Sequence, residues 1–235
     1  MTDLNEPILP GSGATDYERY LRTDELLTLQ KRPEEMAHRD ELLFQTIHQA
    51  SELWMKLACF EIETVIVHLD ADQVWAAERL LRRAVAALDQ VQASTLMLEH
   101  LAPWDYHGVR RELGHGSGFD SPGFKRIHEL TPQLGAAFDR LVVRRSQTLR
   151  DIYRHSDQHP DLFSVAERLV DWDARLGLWR TLHLKLVERV IGGGVIGTQG
   201  TPVEVLARRL NVRYFESLWD VRNTLTADAG TSPEL

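Results

Sequence analysis

Apolar residues recur every three or four positions along most of the chain and show no sustained alternation with period two. Around "FQTIHQASELWMKL" (44–57), Leu43, Ile47, Ala50, Trp54, Leu57 and Val65 keep that spacing, and Asp40 stands where a cap would, which predicts one long helix from about 40 to 70. "DQVWAAERLLRRAVAALDQVQASTLMLEHL" has few β-branched residues and no internal glycine or proline, so it reads as a second helix. "SPGFKRIHEL", "LGAAFDRLVVRRSQTLRDIYRH", "LFSVAERLVDWDARLGLWRTLHLKLVERVIG" and "VEVLARRLNVRYFESLWDVRNTL" continue the helical period, and glycine- or proline-rich joints fall at "PGSG", "GHGSGFDSPG" and "GGGVIGTQGTP". The pattern predicts an all-α helical bundle forming a single domain over residues 1–235, with flexible ends at 1–15 and 226–235.

Composition narrows the function classes. A chain of 235 residues with 43% hydrophobic content is long enough to bury one substantial core. A formal net charge of −8 argues against a surface that tracks nucleic-acid phosphates. The single cysteine, Cys59, excludes an intrachain disulfide and any CxxC metal site. "MTDLNEPILPGSG" lacks the basic and apolar regions of a signal peptide, and no stretch approaches the roughly 18 apolar residues of a membrane span. The expectation is a cytoplasmic protein with no membrane and no nucleic-acid partner.

Ten histidines offer candidate chemistry. His38, His100, His115, His128, His155 and His159 fall near predicted helix ends or in polar surroundings and read as solvated surface. HExxH is absent, and the paired Glu and His spacing of a di-iron bundle is missing, which disfavours a non-haem metal. "IGGGVIGTQGTP" follows a helix and carries no lysine after its last glycine, so it satisfies neither phosphate-binding fingerprint. His48 and His183 are the two of interest. His183 joins Leu176, Trp179, Leu182, Leu186, Val187 and Val190 on a predicted inward stripe. There it is either a core histidine bonded to a carbonyl or the iron ligand of a haem, since haem needs one neutral imidazole and apolar walls.

"YERYLRTDELL" (17–27), "FQTIHQASELWMKL" (44–57), "YHGVRRELGHGSGFDS" (106–121), "WRTLHLKLVERVIG" (179–192), "GTQGT" (197–201) and "FESLWDVR" (215–222) together resemble the tryptophan 2,3-dioxygenase family, in the family's order. The resemblance implies an all-α enzyme, usually a homotetramer, that uses haem b and O2 to cleave the indole ring of L-tryptophan to N-formylkynurenine. It gives His183 the role of axial ligand to the haem iron and His48 that of the distal histidine meeting the indole N–H. Phe44, Gln45, Thr46, Ile47 and His48 match the family's substrate-binding stretch. Tyr106 and Arg110 match the pair at the amino-acid carboxylate, Thr198 the loop threonine at the ammonium and carboxylate, and Ser117 and Gly118 the haem-contacting turn. Tyr17, Tyr20 and Leu21 match the segment that completes a neighbouring subunit's pocket. The chain is shorter than the family between "SGFDS" and "WRTLH", where connecting helices are missing.

These roles suit the residue types. Arginine offers a planar fork of donors to a carboxylate, and Tyr106 lies four residues before Arg110 on the same helical face, against the alternative of a solvated or ion-paired arginine. Phe44 and His48, on adjacent turns, form an apolar slot with one polar contact. Two other readings stay open: single oxygenation of tryptophan or a substituted indole in specialised biosynthesis, and a haem sensor without turnover.

Overall fold

The computed structural model describes residues 6–194 and 204–230. In chain order its helices are α1 (Asp16–Leu21), α2 (Thr23–Leu26), α3 (Glu41–Asp70), α4 (Val74–Leu96), α5 (Pro103–Glu112), α6 (Pro122–Arg144), α7 (Leu149–Arg154), α8 (Pro160–Ile191), α9 (Glu204–Arg208) and α10 (Glu216–Asp228). No strand occurs among the described residues, so the fold is all-α.

The core lies between α3, α4, α6 and α8. α3 packs most extensively on α4 and α6, and α8 packs chiefly on α4. Small residues allow the close α3–α4 approach: Ala58, Ala77 and Ala84 are fully buried beside Ile62, Val65 and Leu81. Trp172 of α8 is also fully buried, and its Nε1–H donates to Thr131 Oγ1 of α6 at 3.1 Å. Truncating Trp172 to alanine would cost about 3–5 kcal/mol.

Ion pairs and hydrogen bonds set the helix directions. Arg126 of α6 meets Glu63, and Arg140 meets Asp70, so α6 runs parallel to α3. Arg168 meets Glu78, Arg175 meets Asp89, and Trp179 donates to Thr95, so α8 runs parallel to α4. The tight Ala71–Gln73 turn makes α3 and α4 antiparallel. The starts of α3 and α6 and the ends of α4 and α8 therefore share one end of the bundle. α5 and a 3₁₀ turn at Gly118–Asp120 cover that end.

Several local expectations change. The buried face of α3 is Ile47, Ser51, Met55, Ala58, Ile62, Val65 and Leu69, leaving Trp54 and Leu57 largely on the surface. Asp40 makes no capping bond; the Glu41 carboxylate instead accepts from the His38 N–H at 3.1 Å. α6 continues through Pro132, where the proline is exposed and costs one backbone bond on the solvent side. The last predicted helix breaks between α9 and α10. There the N–H groups of Tyr214 and Phe215 and the Trp219 indole donate to the buried Asp173 carboxylate of α8 (2.9, 3.4 and 2.9 Å). Arg180 of α8 takes the carbonyls of Val212 (2.7 Å) and Arg209 (3.4 Å), so tertiary partners replace the helical ladder. α10 itself runs on through 226–228, and Asp228 pairs with Arg150 at 2.5 Å.

Candidate functional site at one end of the bundle

At the start of α3, Phe44 and His48 stand one turn apart, with ring centroids 4.0 Å apart and planes 28° from parallel. His48 Nδ1 lies 2.7 Å from the Phe44 carbonyl oxygen. A carbonyl only accepts, so Nδ1 carries the proton and Nε2 presents a lone pair. One side of the His48 ring is open to solvent, while the crowding of protein around it pushes the imidazole pKa below its ordinary value; the bond to Phe44 and the charge of Glu52 oppose that shift. His48 is thus a neutral acceptor at neutral pH.

α5 brings Tyr106 and Arg110 to the same place. Tyr106 packs its ring 6.4 Å from that of Phe44, and burial raises its phenol pKa while the nearby Arg110 charge lowers it. Pro103 starts the helix at a position where its missing N–H costs nothing. Two cross-ties fix α5 on α3. Lys31 bridges Glu41 (2.6 Å) and Glu112 (3.0 Å), and His38 sits 3.6 Å from Asp105 against Gly108, where a side chain would crowd it at 3.4 Å. His38 is a structural post and not the solvated residue its sequence position suggested. His128 is exposed as expected, and its Nδ1 bonds to the Tyr214 hydroxyl.

The end of α8 supplies the facing wall. His183 stacks on Trp179 (5.0 Å, 15°), Trp179 packs on Phe124 of α6 (3.9 Å), and the Trp179 indole N–H donates to Thr95 at 3.3 Å. Burial drives the His183 pKa down to about 4, with the neighbouring His48 as a lesser cause. The carbonyl partner expected of a core histidine is not there: its imidazole has no hydrogen-bond partner among the described residues. A Cβ added at Gly118 would stand 3.9 Å from His183 Nε2, so the side-chain-free turn lies beside that nitrogen. Ser117 caps that turn, accepting from the Phe119 N–H (3.4 Å) while its own N–H donates to Asp120 (3.1 Å).

The arrangement suits one planar group between Gly118 and His183. No cluster of three or more His, Cys, Asp or Glu able to hold a metal occurs among the described residues, so a metal at His183 would need most of its ligands from a non-protein source, as a porphyrin provides. A neutral, unpartnered imidazole backed by aromatic rings fits that donor set.

Other sequence-derived candidates sit apart. Ile47 is in the core, and Thr46 is exposed on the face opposite Phe44. Gln45 accepts from the Lys31 N–H at 2.9 Å, while Gln49 donates to the Leu29 carbonyl at 3.2 Å, which moors the N-terminal arm on α3. Beyond that mooring α1 buries no residue, and Tyr17 and Tyr20 are 68% and 78% exposed, with Leu21 exposed as well. Thr198 lies outside the described residues.

The tryptophan 2,3-dioxygenase family profile matches residues 4–146, more than half of the chain. The tryptophan 2,3-dioxygenase of Xanthomonas campestris pv. campestris (strain B100) is 33% identical over 268 aligned positions, which take in 92% of this chain and 89% of that protein. The chain belongs to the tryptophan 2,3-dioxygenase family. The tryptophan 2,3-dioxygenase of Erythrobacter litoralis (strain HTCC2594) is likewise 33% identical, over 89% of this chain and 98% of its own length. An alignment of 268 positions exceeds the 235 residues here, so the Xanthomonas member of the family carries segments that this chain lacks. Sequence reasoning missed several residues that shape this family's site here, namely Lys31, His38, Glu52 and Phe124. Each reads in isolation as surface or generic core.

Proposed function

We propose that this chain binds haem b through His183 and inserts both atoms of O2 across the indole C2–C3 bond of L-tryptophan, giving N-formylkynurenine. Family membership and the names of the relatives support the reaction. The observation that supports the site is the neutral His183 imidazole, stacked on Trp179 with the bare Gly118 beside its Nε2 and the neutral His48 as a neighbour.

Bound haem supplies the oxygen chemistry. The protein's part is recognition and placement. His48 Nε2 accepts the indole N–H, an orienting role, because an indole N–H is too weak an acid for neutral imidazole to deprotonate outright. Phe44 flanks the indole, Arg110 and the Tyr106 hydroxyl take the carboxylate, and Thr198 serves the ammonium and carboxylate. Ser117 and Gly118 back the haem. The exposed Tyr17, Tyr20 and Leu21 close the pocket of a second copy within a homotetramer, which explains apolar side chains on an arm that buries nothing in its own chain. Sedimentation of a chain lacking residues 1–25 tests the arm: an unchanged oligomer with unchanged turnover removes it from the site.

Turnover of tryptophan under 18O2, read by mass spectrometry, tests the reaction. Two labelled atoms in the product are expected. One labelled atom overturns ring cleavage in favour of single oxygenation, and no oxygen consumption overturns catalysis. The ligand is tested by His183→Ala, which should abolish the five-coordinate ferrous spectrum.

A further inference from the structure

Glu52 lies one turn beyond His48 on α3 and reaches across to the start of α6. Its carboxylate accepts the Ser121 hydroxyl at 2.5 Å and the Gly123 N–H at 3.0 Å. Ser121 is the N-cap of α6. With its own proton committed to Glu52, its oxygen accepts from the Phe124 N–H at 3.2 Å. An anion from one helix thereby satisfies the first donors of another, where the unpaired N–H groups and the helix dipole both favour negative charge. Gly123 makes the approach feasible, since a Cβ there would fall 2.7 Å from Glu52 Oε2 and 2.8 Å from Met55 Cβ.

The residues on either side of this junction matter for what it holds. Toward the N-terminus, Ser121 ends the turn whose Gly118 faces His183 Nε2. Toward the C-terminus, Phe124 supports Trp179, which in turn stacks on His183. Glu52 therefore grips the segment that runs from Gly118, beside His183 Nε2, to Phe124, which backs the Trp179 ring stacked on His183, and it does so from the helix that carries His48.

We propose that Glu52 is a positioning residue: by pinning Ser121 and Gly123 to α3, it sets how tightly a planar group is held between Gly118 and His183. The proposal rests on the reading of His183 as the haem ligand. Support of a metal-binding group by the residues around it typically changes affinity about ten- to hundredfold. Glutamine keeps the shape and one acceptor but leaves one of the two donors, the Ser121 hydroxyl or the Gly123 N–H, without its acceptor, so Glu52→Gln should fall between wild type and Glu52→Ala.

The full-length holoprotein variants Glu52→Gln, Glu52→Ala and Ser121→Ala are compared by the rate of haem transfer to excess apoglobin and by the ferrous iron–histidine stretching frequency. The unfolding midpoint is recorded alongside. Haem loss is expected to accelerate roughly ten- to hundredfold in Glu52→Ala. A shifted iron–histidine frequency should accompany it, and combining Ser121→Ala with Glu52→Ala should add little. A lowered unfolding midpoint with wild-type haem loss and an unshifted frequency overturns the proposal, because a merely structural cap would act that way. Should Glu52→Ala fail to fold, Ser121→Ala decides by the same two readouts. A wild-type spectrum that survives His183→Ala overturns the ligand reading and this proposal with it, whereas a His183-dependent spectrum with unaffected variants overturns this proposal alone.

Discussion

Gly118→Ala gives the sharpest measure of whether a planar group sits against His183. The added methyl carbon would stand 3.9 Å from Nε2, an ordinary van der Waals contact, and Gly118 has no left-handed backbone angle that alanine would resist. The haem-free variant should therefore unfold at the wild-type denaturant midpoint. Loaded protein differs. A metal bonded to an imidazole nitrogen lies about 2.0–2.1 Å from it. On the line toward Gly118, that leaves only about 1.8 Å between the metal and the methyl, where carbon contacts need about 3.5–4.0 Å. The turn must give way by roughly 2 Å, and overpacking of this kind costs about 1–3 kcal/mol. Haem affinity should then fall roughly five- to hundredfold. Titration of haem-free protein with haem, followed at the Soret band, measures it. Wild-type affinity in Gly118→Ala would refute the placement of the haem between this turn and His183.

Acid should destabilise the haem-free protein through the same imidazole. Burial lowers the His183 pKa to about 4, so the folded chain binds fewer protons than the unfolded chain, and stability is full above the ordinary imidazole pKa of about 6.5 and lost as pH falls from there toward 4. Urea midpoints should drop across that window, and His183→Leu should flatten the drop; an equal slope in the variant removes His183 as its source. Arg110→Lys should weaken tryptophan binding about ten- to hundredfold by losing one charge-assisted bond, while binding of an indole without a carboxylate stays unchanged. Equal losses for both ligands, measured by spectral titration, would assign Arg110 to the fold and not to the carboxylate.

The helices were legible because their apolar residues follow the helical period, but the period alone could not fix the rotation of α3. Trp54 and Leu57 obey the spacing as well as Met55 and Ala58 do; burial went to the smaller pair because close packing on α4 admits Ala58 and not Trp54. The break before α10 was invisible for a related reason. Residues 210–215 keep helical composition, and only the buried Asp173 and the reach of Arg180, far away in sequence, draw their backbone groups out of the ladder. Proximity within the candidate site was legible where it rests on spacing within one helix, as with Phe44 and His48 or Tyr106 and Arg110. Glu52, His38 and Lys31 were not, since each acts by joining two elements that only the fold brings together.

The geometry also bears on how a shortened chain keeps this site. The site is assembled from the starts of α3 and α6, the end of α8, and α5 laid across them. The resemblance read from the sequence motifs puts the missing connecting helices between "SGFDS" and "WRTLH", and within that interval α6 and α8 are both long, unbroken and anchored in the core. What is left for shortening is the 145–159 connection. It lies at the opposite end of the bundle, where Arg145 pairs with Asp72 at 2.7 Å beside the α3–α4 turn. A deletion there removes covering helices without moving His48, Arg110, Gly118 or His183, because α3 and α8 keep their directions through packing on α4. Loss of chain at the far end is therefore compatible with the family's chemistry at the near one.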